Sequence, residues 1–431
     1  MRERKMNYDI VGIGVGPFNL SLATLLEANK DMKALFIERK PKFSWHSEVM
    51  FKDSTMQTSF LKDLVTPLDP TNKNTFTNYL VTKGMFYHLM NSSRTAVTRY
   101  EFEDYLKWAA DNLSELIQYS TEVEDLKYNE NKKTFEIKTN HSEITSRNLC
   151  LGAGPVKNIP EEAKPYVSDS LFHAKSEQMF KLNLTGKRVL IIGAGQTGVE
   201  IFKNSLEGKW GRAESVTLTT GRNTLMPLDE GAFTNEFFTP GFVSEFLDAD
   251  QKNKDILVKD QLLTSDGNTP HYLESLYEDL YLDKFYLKKY PTFTIAPKRW
   301  LKNISKGTEG VYDITFENLL FNKEESTKAD VVILATGFRT VLPSFTKGIT
   351  DLIKFDEQKR PCLKKDYSLE TNLPEENKIF AMNMSRHFHG IADPQTSLMA
   401  WRSGVIYNSL TGTNHYKTRP EESNFCQYTS F

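Results

Sequence analysis

The sequence predicts an α/β protein made of two Rossmann-like dinucleotide-binding units and a smaller, mainly helical lobe. Three observations predict it. A glycine-rich turn sits between an apolar strand and a helix near residue 12, and a second such turn recurs near residue 193. Between residues 223 and 288 strand character gives way to acidic, aromatic stretches with helical spacing.

The first 40 residues read as one βαβ unit: an apolar strand over 8–11, a glycine turn, a helix to about Glu27, and a second strand over 33–38. Residues 43–70 are polar, aromatic and too irregular for one element, which suggests a functional insertion. Phe102, Tyr105, Leu106, Trp108 and Ala109 space a helix over 100–112, and alternation returns strand character near 135–138 and 148–154. A second βαβ unit opens with a strand over 187–192, continues through a helix over 197–206, and reaches a strand over 215–219. The clearest helix of the lobe spans 270–281, after which the apolar run at 330–334 restores the sheet. These readings divide the chain into a first unit of 1–175 and 335–431, a second of 176–222 and 289–334, and the lobe of 223–288.

A chain of 431 residues exceeds what one core organises, in keeping with several units. Its 54 Lys and Arg nearly balance its 56 Asp and Glu, so nothing calls for nucleic acid or an anionic membrane as partner. Cys150, Cys362 and Cys426 form no C-x-x-C pair, which argues against a disulfide framework, a thiol redox centre and a metal site. No membrane-length apolar run occurs and residues 1–7 lack a signal-peptide pattern. A soluble cytoplasmic protein acting on small molecules is the expectation.

The first turn is Gly12-Ile-Gly14-Val-Gly16-Pro17-Phe18-Asn19. Small residues there let backbone N–H groups approach a pyrophosphate at the helix N-terminus, and Pro17 is tolerated in a first helical turn because no intrahelical donor is lost. Glu38 ends the next strand, where an acid accepts a hydrogen bond from an adenosine ribose. The second turn, Gly193-Ala-Gly195-Gln196-Thr197-Gly198, fits the dinucleotide fingerprint fully. The strand after it ends in Thr219-Thr-Gly-Arg222 rather than an acid, which favours a ribose bearing a 2′-phosphate and hence NADPH. A strand-to-helix turn without ligand is the plain structural reading of either motif, and two in one chain argue against it. Two nucleotide modules imply a nicotinamide that reduces a flavin. A disulfide acceptor needs a cysteine pair the chain lacks, so dioxygen or a diffusible acceptor remains.

Beyond the turns, Phe43-Ser-Trp-His46, Met56-Gln-Thr-Ser-Phe-Leu-Lys-Asp-Leu64, Asp69-Pro-Thr71, Ala335-Thr-Gly337 and His389-Gly-Ile-Ala-Asp393 follow in order. With residues 9–19 and 193–198 they closely resemble the flavin-dependent N-hydroxylating monooxygenases of siderophore biosynthesis, nearest the lysine N-hydroxylase branch. The resemblance implies FAD at the first turn, retained NADPH-derived cofactor at the second, dioxygen as co-substrate, and a homo-oligomer, tetramer or dimer. It implies that a small amine attacks a hydroperoxyflavin. An amine with a pKa of about 10.4 must first lose its proton, so a dry pocket is part of the chemistry. Trp45, His46, Met56 and Gln57 are then expected along FAD, with Gln57 near the reacting oxygen. Lys62 and Asn235 match positions that hold an amino-acid substrate, with Asn235 beside the catalytic centre, and Ser397 matches a serine touching flavin and substrate. Ala335, Thr336 and Gly337 join the cofactor set.

Four departures bear on the substrate. Phe338 replaces a tyrosine and Leu342-Pro343 a His-Pro pair, Ser265 stands where a substrate-contacting asparagine is frequent, and His387 adds a second histidine before His389. Lysine, ornithine, putrescine, cadaverine and histamine are the candidate amines. Two other readings stay open: a flavin monooxygenase oxidising another soft nucleophile, and a non-catalytic flavin-binding redox protein. The first normally carries a Phe-x-Gly…His motif, to which Leu171-Phe-His-Ala174 is only an approach. The second predicts bound flavin without amine-dependent oxygen consumption.

Overall fold

The computed structural model describes residues 7–307, 310–418 and 425–428. Residues 1–6, which carry most of the stretch read for a leader, lie outside them. The predicted α/β architecture is present. In the first sheet the strands Ile117–Gln118, Ala34–Ile37, Asn7–Ile13 and Glu143–Leu151 lie side by side in parallel, with Ile379–Ala381 parallel to the last of them. Thr134–Thr139 and Val123–Asn129 extend the sheet antiparallel. The helix Pro17–Leu26 carries an almost wholly buried apolar surface and packs between this sheet and the helix Met399–Thr411. That double cover explains why its sequence lacks an amphipathic pattern.

The second sheet is parallel throughout, in the order Thr292–Pro297, Ser215–Thr220, Arg188–Ile192, Val331–Leu334, Leu171–His173. A three-stranded antiparallel sheet of Arg299–Lys306, Tyr312–Asn318 and Lys323–Ala329 covers one side through Leu301, Ile304, Tyr312, Ile314 and Phe316. One boundary needs correction. Leu171–His173 pairs with Val331–Leu334, so the second unit begins before residue 176. A three-residue strand is too short to show periodicity, which is why the sequence reading left it in the first unit. The two chain crossings, Val156–Lys157 and Phe338–Arg339, pair with each other antiparallel.

The 223–288 segment is helical, as its spacing predicts, with Pro240–Asp248, Gln251–Asp260 and Pro270–Leu282 as its longer helices. Thr239 and Asp250 cap the first two by accepting the backbone N–H of Phe242 and Asn253. The lobe contributes to both cores: Phe238 and Val243 join the first unit's core, Tyr272 and Leu276 the second's. It is a bridge between the two units.

Candidate active site

Both glycine turns follow the C-terminal end of a central parallel strand, where open α/β sheets bind ligands. Gly14 has φ +88°, and a Cβ there would meet the Gly152 carbonyl oxygen at 2.6 Å. Gly193 has φ +107° and the Ala335 carbonyl oxygen at 2.3 Å. A Cβ on Gly12 would strike the Phe36 ring, and one on Gly198 the Gly193 carbonyl oxygen. At Gly16 and Gly195 a Cβ would meet nothing within 4 Å. Each is the residue just before its helix, so the space it leaves open faces the helix N-terminus. The turns therefore fit two nucleotide diphosphates, which need that close backbone approach.

Around the first turn, Glu38 accepts the Val15 N–H at 2.9 Å, putting the predicted acid beside the glycines. Phe18 is packed against the guanidinium of Arg402, 4.6 Å from the ring centroid. Asn19 is completely buried and its amide donates to the Gly14 carbonyl at 2.8 Å. It clasps the turn from within.

The irregular segment after residue 43 is anchored by Asp63. Its buried carboxylate accepts the backbone N–H groups of Val65, Thr66 and Phe76 at 2.9, 2.7 and 2.6 Å and the Thr66 hydroxyl at 2.7 Å. Next to it, half-buried Lys62 has its pKa lowered by burial alone, and no carboxylate of the described residues pairs with it. Met56 is fixed by donating its N–H to the Val97 carbonyl. Trp45 stacks edge-on against His46 and Phe102, with ring centroids 4.2 and 5.7 Å away.

The second turn opens on a cavity of about 1010 Å³. Gly193, Gly195, Gln196, Thr197, Arg222, Ala335, Thr336 and Gly337, all predicted, line it, as does Gln57 from the first unit. Ser265, expected at the substrate, lines this same cavity near Arg222, and its hydroxyl donates to Asp266. Arg222 donates to the Asp266 carbonyl at 2.8 Å, and Arg386 pairs with the Asp266 carboxylate at 3.0 Å. His387 is turned elsewhere, with Nε2 3.0 Å from the Pro361 carbonyl oxygen, and Arg386 rather than His387 lines the cavity. Lys62, Asn235 and Ser397 are not part of the cavity lining; Asn235 is exposed in the short helix Thr234–Phe238 and Ser397 is buried before the last helix.

Sequence reasoning missed His173, Lys175, Arg299, Trp300 and Arg386, all of which line the cavity. Trp300 is exposed and covers Gly221, whose absent Cβ would lie 2.9 Å from its ring. For His173, Lys175, Arg299 and Trp300 a position at or beside a strand end was the available signal, legible only once the strand order is known, whereas Arg386 opens the short helix Arg386–His389. Across the seam between units, buried Glu200 pairs with both guanidinium nitrogens of Arg99 at 2.9 and 3.0 Å and accepts the Gln196 amide at 2.9 Å. Gln196 in turn accepts the Thr269 N–H, linking turn, first unit and lobe.

A family profile, L-lysine 6-monooxygenase/L-ornithine 5-monooxygenase, matches residues 6–340. The chain belongs to this family. The enzyme is accordingly an N-monooxygenase that uses FAD, NADPH and dioxygen. It is 38% identical to the L-lysine N6-monooxygenase of Escherichia coli over 95% of each chain. It is 30% identical to a putrescine N-hydroxylase of Acinetobacter baumannii over 95% of this chain and 91% of that one. The solved structure of an FAD-bound cadaverine monooxygenase from Erwinia amylovora has a TM-score of 0.89 at 24% identity, covering 99% of this chain and 100% of that one, and shares the fold. No helix among the described residues is long and apolar enough to cross a membrane.

Proposed function

We propose that the enzyme N-hydroxylates the terminal amine of L-lysine for siderophore biosynthesis, with FAD held at the first turn and NADPH at the second. The observation that carries the choice of an amino acid over a decarboxylated diamine is Lys62. A partly desolvated ammonium that no carboxylate of the described residues pairs is a ready partner for a substrate carboxylate. The 38% identity to a lysine monooxygenase supports the same choice.

In this reading Gly16 and Gly195 admit the two diphosphates, Glu38 takes the adenosine ribose of FAD, and Arg222 takes the 2′-phosphate of NADPH. Trp45, His46 and Met56 wall the flavin. Bound flavin, reduced by NADPH, supplies activated oxygen. The protein's own part is to orient and to dry: Lys62 and Asn235 hold the amino-acid end, while Gln57 and Ser397 border the reacting nitrogen. Burial of that nitrogen favours its neutral form, whose lone pair attacks. The free, dispersed cysteines suit a reducing cytoplasm, and the enzyme is read as a homo-oligomer there.

The deciding assay measures hydroxylated product and hydrogen peroxide across lysine, ornithine, putrescine, cadaverine and histamine, for wild type and Lys62→Met. Lysine is expected to be preferred, and Lys62→Met to lower its kcat/KM by about 10- to 100-fold, the scale of one charge-assisted hydrogen bond, while leaving cadaverine unchanged. A diamine preferred by the wild type overturns the substrate. Reducing equivalents leaving only as peroxide with every amine overturns the activity.

A further inference from the structure

Lys175 belongs to no motif read from the sequence. It stands two residues beyond the strand Leu171–His173, at the ligand-binding edge of the second sheet, and lines the cavity there. Its side chain is only 13% exposed. From the first unit, His46 Nδ1 is hydrogen-bonded to its ammonium and the Glu48 carboxylate lies 3.4 Å away. On its own side, His173 Nδ1 accepts the Lys175 backbone N–H. Burial brings the Lys175 pKa down to about 8; Glu48 opposes that fall, while Arg99 and Lys40 add to it. Burial and the surrounding cations hold His46 neutral, and burial brings His173 down to about 4. Lys175 is thus the cavity group at this seam that changes charge near neutral pH.

Strand order tells which half of a dinucleotide Lys175 meets. Arg188–Ile192, which feeds the glycine turn, is the middle strand. Ser215–Thr220 and then Arg222 lie on one side of it; Val331–Leu334 and Leu171–His173 lie on the other. A diphosphate seated on the turn sends one half of the molecule each way. With the phosphorylated ribose at Arg222, the nicotinamide goes toward Lys175, two strand spacings or about 10 Å from the turn. Thr336, His173 and Gln57 line the cavity as well, and Gln57 comes from the flavin unit.

We propose that Lys175 is a specificity residue that reads the redox state of the bound nicotinamide, its ammonium opposing the positive ring of NADP⁺ and tolerating the neutral ring of NADPH. The proposal rests on the reading of the second turn as the NADPH site. Both nucleotides carry the same phosphates and adenosine, so the charges of those groups cancel in the ratio of their affinities, and the pH-dependence of the ratio isolates the cavity group that titrates. That ratio reports on the ring alone. Because the oxidised ring disfavours the ammonium, NADP⁺ binding releases a proton from Lys175. NADP⁺ affinity, relative to that for the reduced form, therefore climbs as pH rises through about 8 and levels off once Lys175 is neutral.

The test is calorimetric titration of the FAD-loaded enzyme with NADP⁺ and with tetrahydro-NADP, whose ring is neutral and gives up no hydride, from pH 6.5 to 9.5. In the wild type the ratio of the two Kd values is expected to shift about tenfold in favour of NADP⁺ across that range, the scale of one unit-charge repulsion in partly hydrated protein. Lys175→Met is expected to be flat at the high-pH ratio, and Lys175→Arg flat at the low-pH ratio. A flat wild-type ratio, or a Lys175→Arg protein that keeps the wild-type slope, overturns the proposal. Lys175→Arg alone decides the matter if Lys175→Met does not fold. Gly195→Val serves as the control for the underlying reading: both nucleotides should lose affinity, and retained binding would overturn the assignment of the turn itself.

Discussion

The two glycine turns have the same design and different surroundings. In each, two glycines are demanded by the protein's own packing and the third, Gly16 or Gly195, leaves room facing a helix N-terminus. The first turn is closed by its own unit, clasped by Asn19, touched by Glu38, and followed by a helix buried between a sheet and the last helix. The second opens on the large cavity, and its helix carries two buried charged groups that reach outward. Glu200 takes Arg99 of the first unit, while Lys203 lies 3.7 Å from Asp53 of that unit and 3.0 Å from Asp279 of the lobe. One turn is built into a frame. The other is docked to that frame through ion pairs, whose strength depends on both partners being in place.

The largest effect that tests this contrast compares glycines within a turn. Gly198→Ala and Gly14→Ala force a Cβ against a backbone carbonyl oxygen, at 1.9 and 2.6 Å, and are expected to cost more than about 4 kcal/mol of folding stability, seen as insoluble protein or a collapsed melting temperature. Gly16→Ala and Gly195→Ala should fold within about 1 kcal/mol of wild type and lose affinity for FAD and NADPH respectively. Equal destabilisation by all four would show that Gly16 and Gly195 are needed only for the fold.

Removing one dock comes next. Glu200→Ala strands the largely buried Arg99 guanidinium and should lower stability by about 3–5 kcal/mol in chemical denaturation. A loss under about 1 kcal/mol would mean that the seam is wet and the units are not electrostatically docked.

Arg222→Ala should have the smallest effect and the most selective one. KM for NADPH is expected to rise about tenfold while that for NADH barely moves, with stability unchanged, because among the described residues the side chain of this arginine gives up one hydrogen bond, to the Asp266 carbonyl. An equal rise for both nucleotides would remove Arg222 from recognition of the 2′-phosphate.

The contrast also explains what could be read in advance. Both βαβ units were legible because an apolar strand, a glycine turn and a helix follow one another within about 30 residues. Leu171–His173 was not, since its place in the second sheet depends on Val331–Leu334, which comes much later in the chain. Helical spacing over 270–281 announced a buried face but not its partner, and the lobe's division between two cores stayed hidden. Asn19 was legible as part of the motif but its hold on the turn was not, because a side chain that holds a turn and one that holds a ligand occupy the same sequence position. Arg386 and Lys175 reach the cavity from neighbours of the residues quoted, His387 and Ala174; a one-residue change of direction separates them.

The paired crossings Val156–Lys157 and Phe338–Arg339 carry a mechanical consequence. Two connections hydrogen-bonded to each other hold the crossings as one ribbon, the natural pivot for any turning of one unit against the other. His173, which is hydrogen-bonded to the Gly337 carbonyl at 2.9 Å and packed on Phe338, sits at the pivot, with Lys175 beside it. Arg222 and Trp300 lie across the sheet, on the long arm of the lever. A small rotation would thus sweep the adenosine end of the cavity through a wide arc while leaving the wall beside Lys175 nearly stationary.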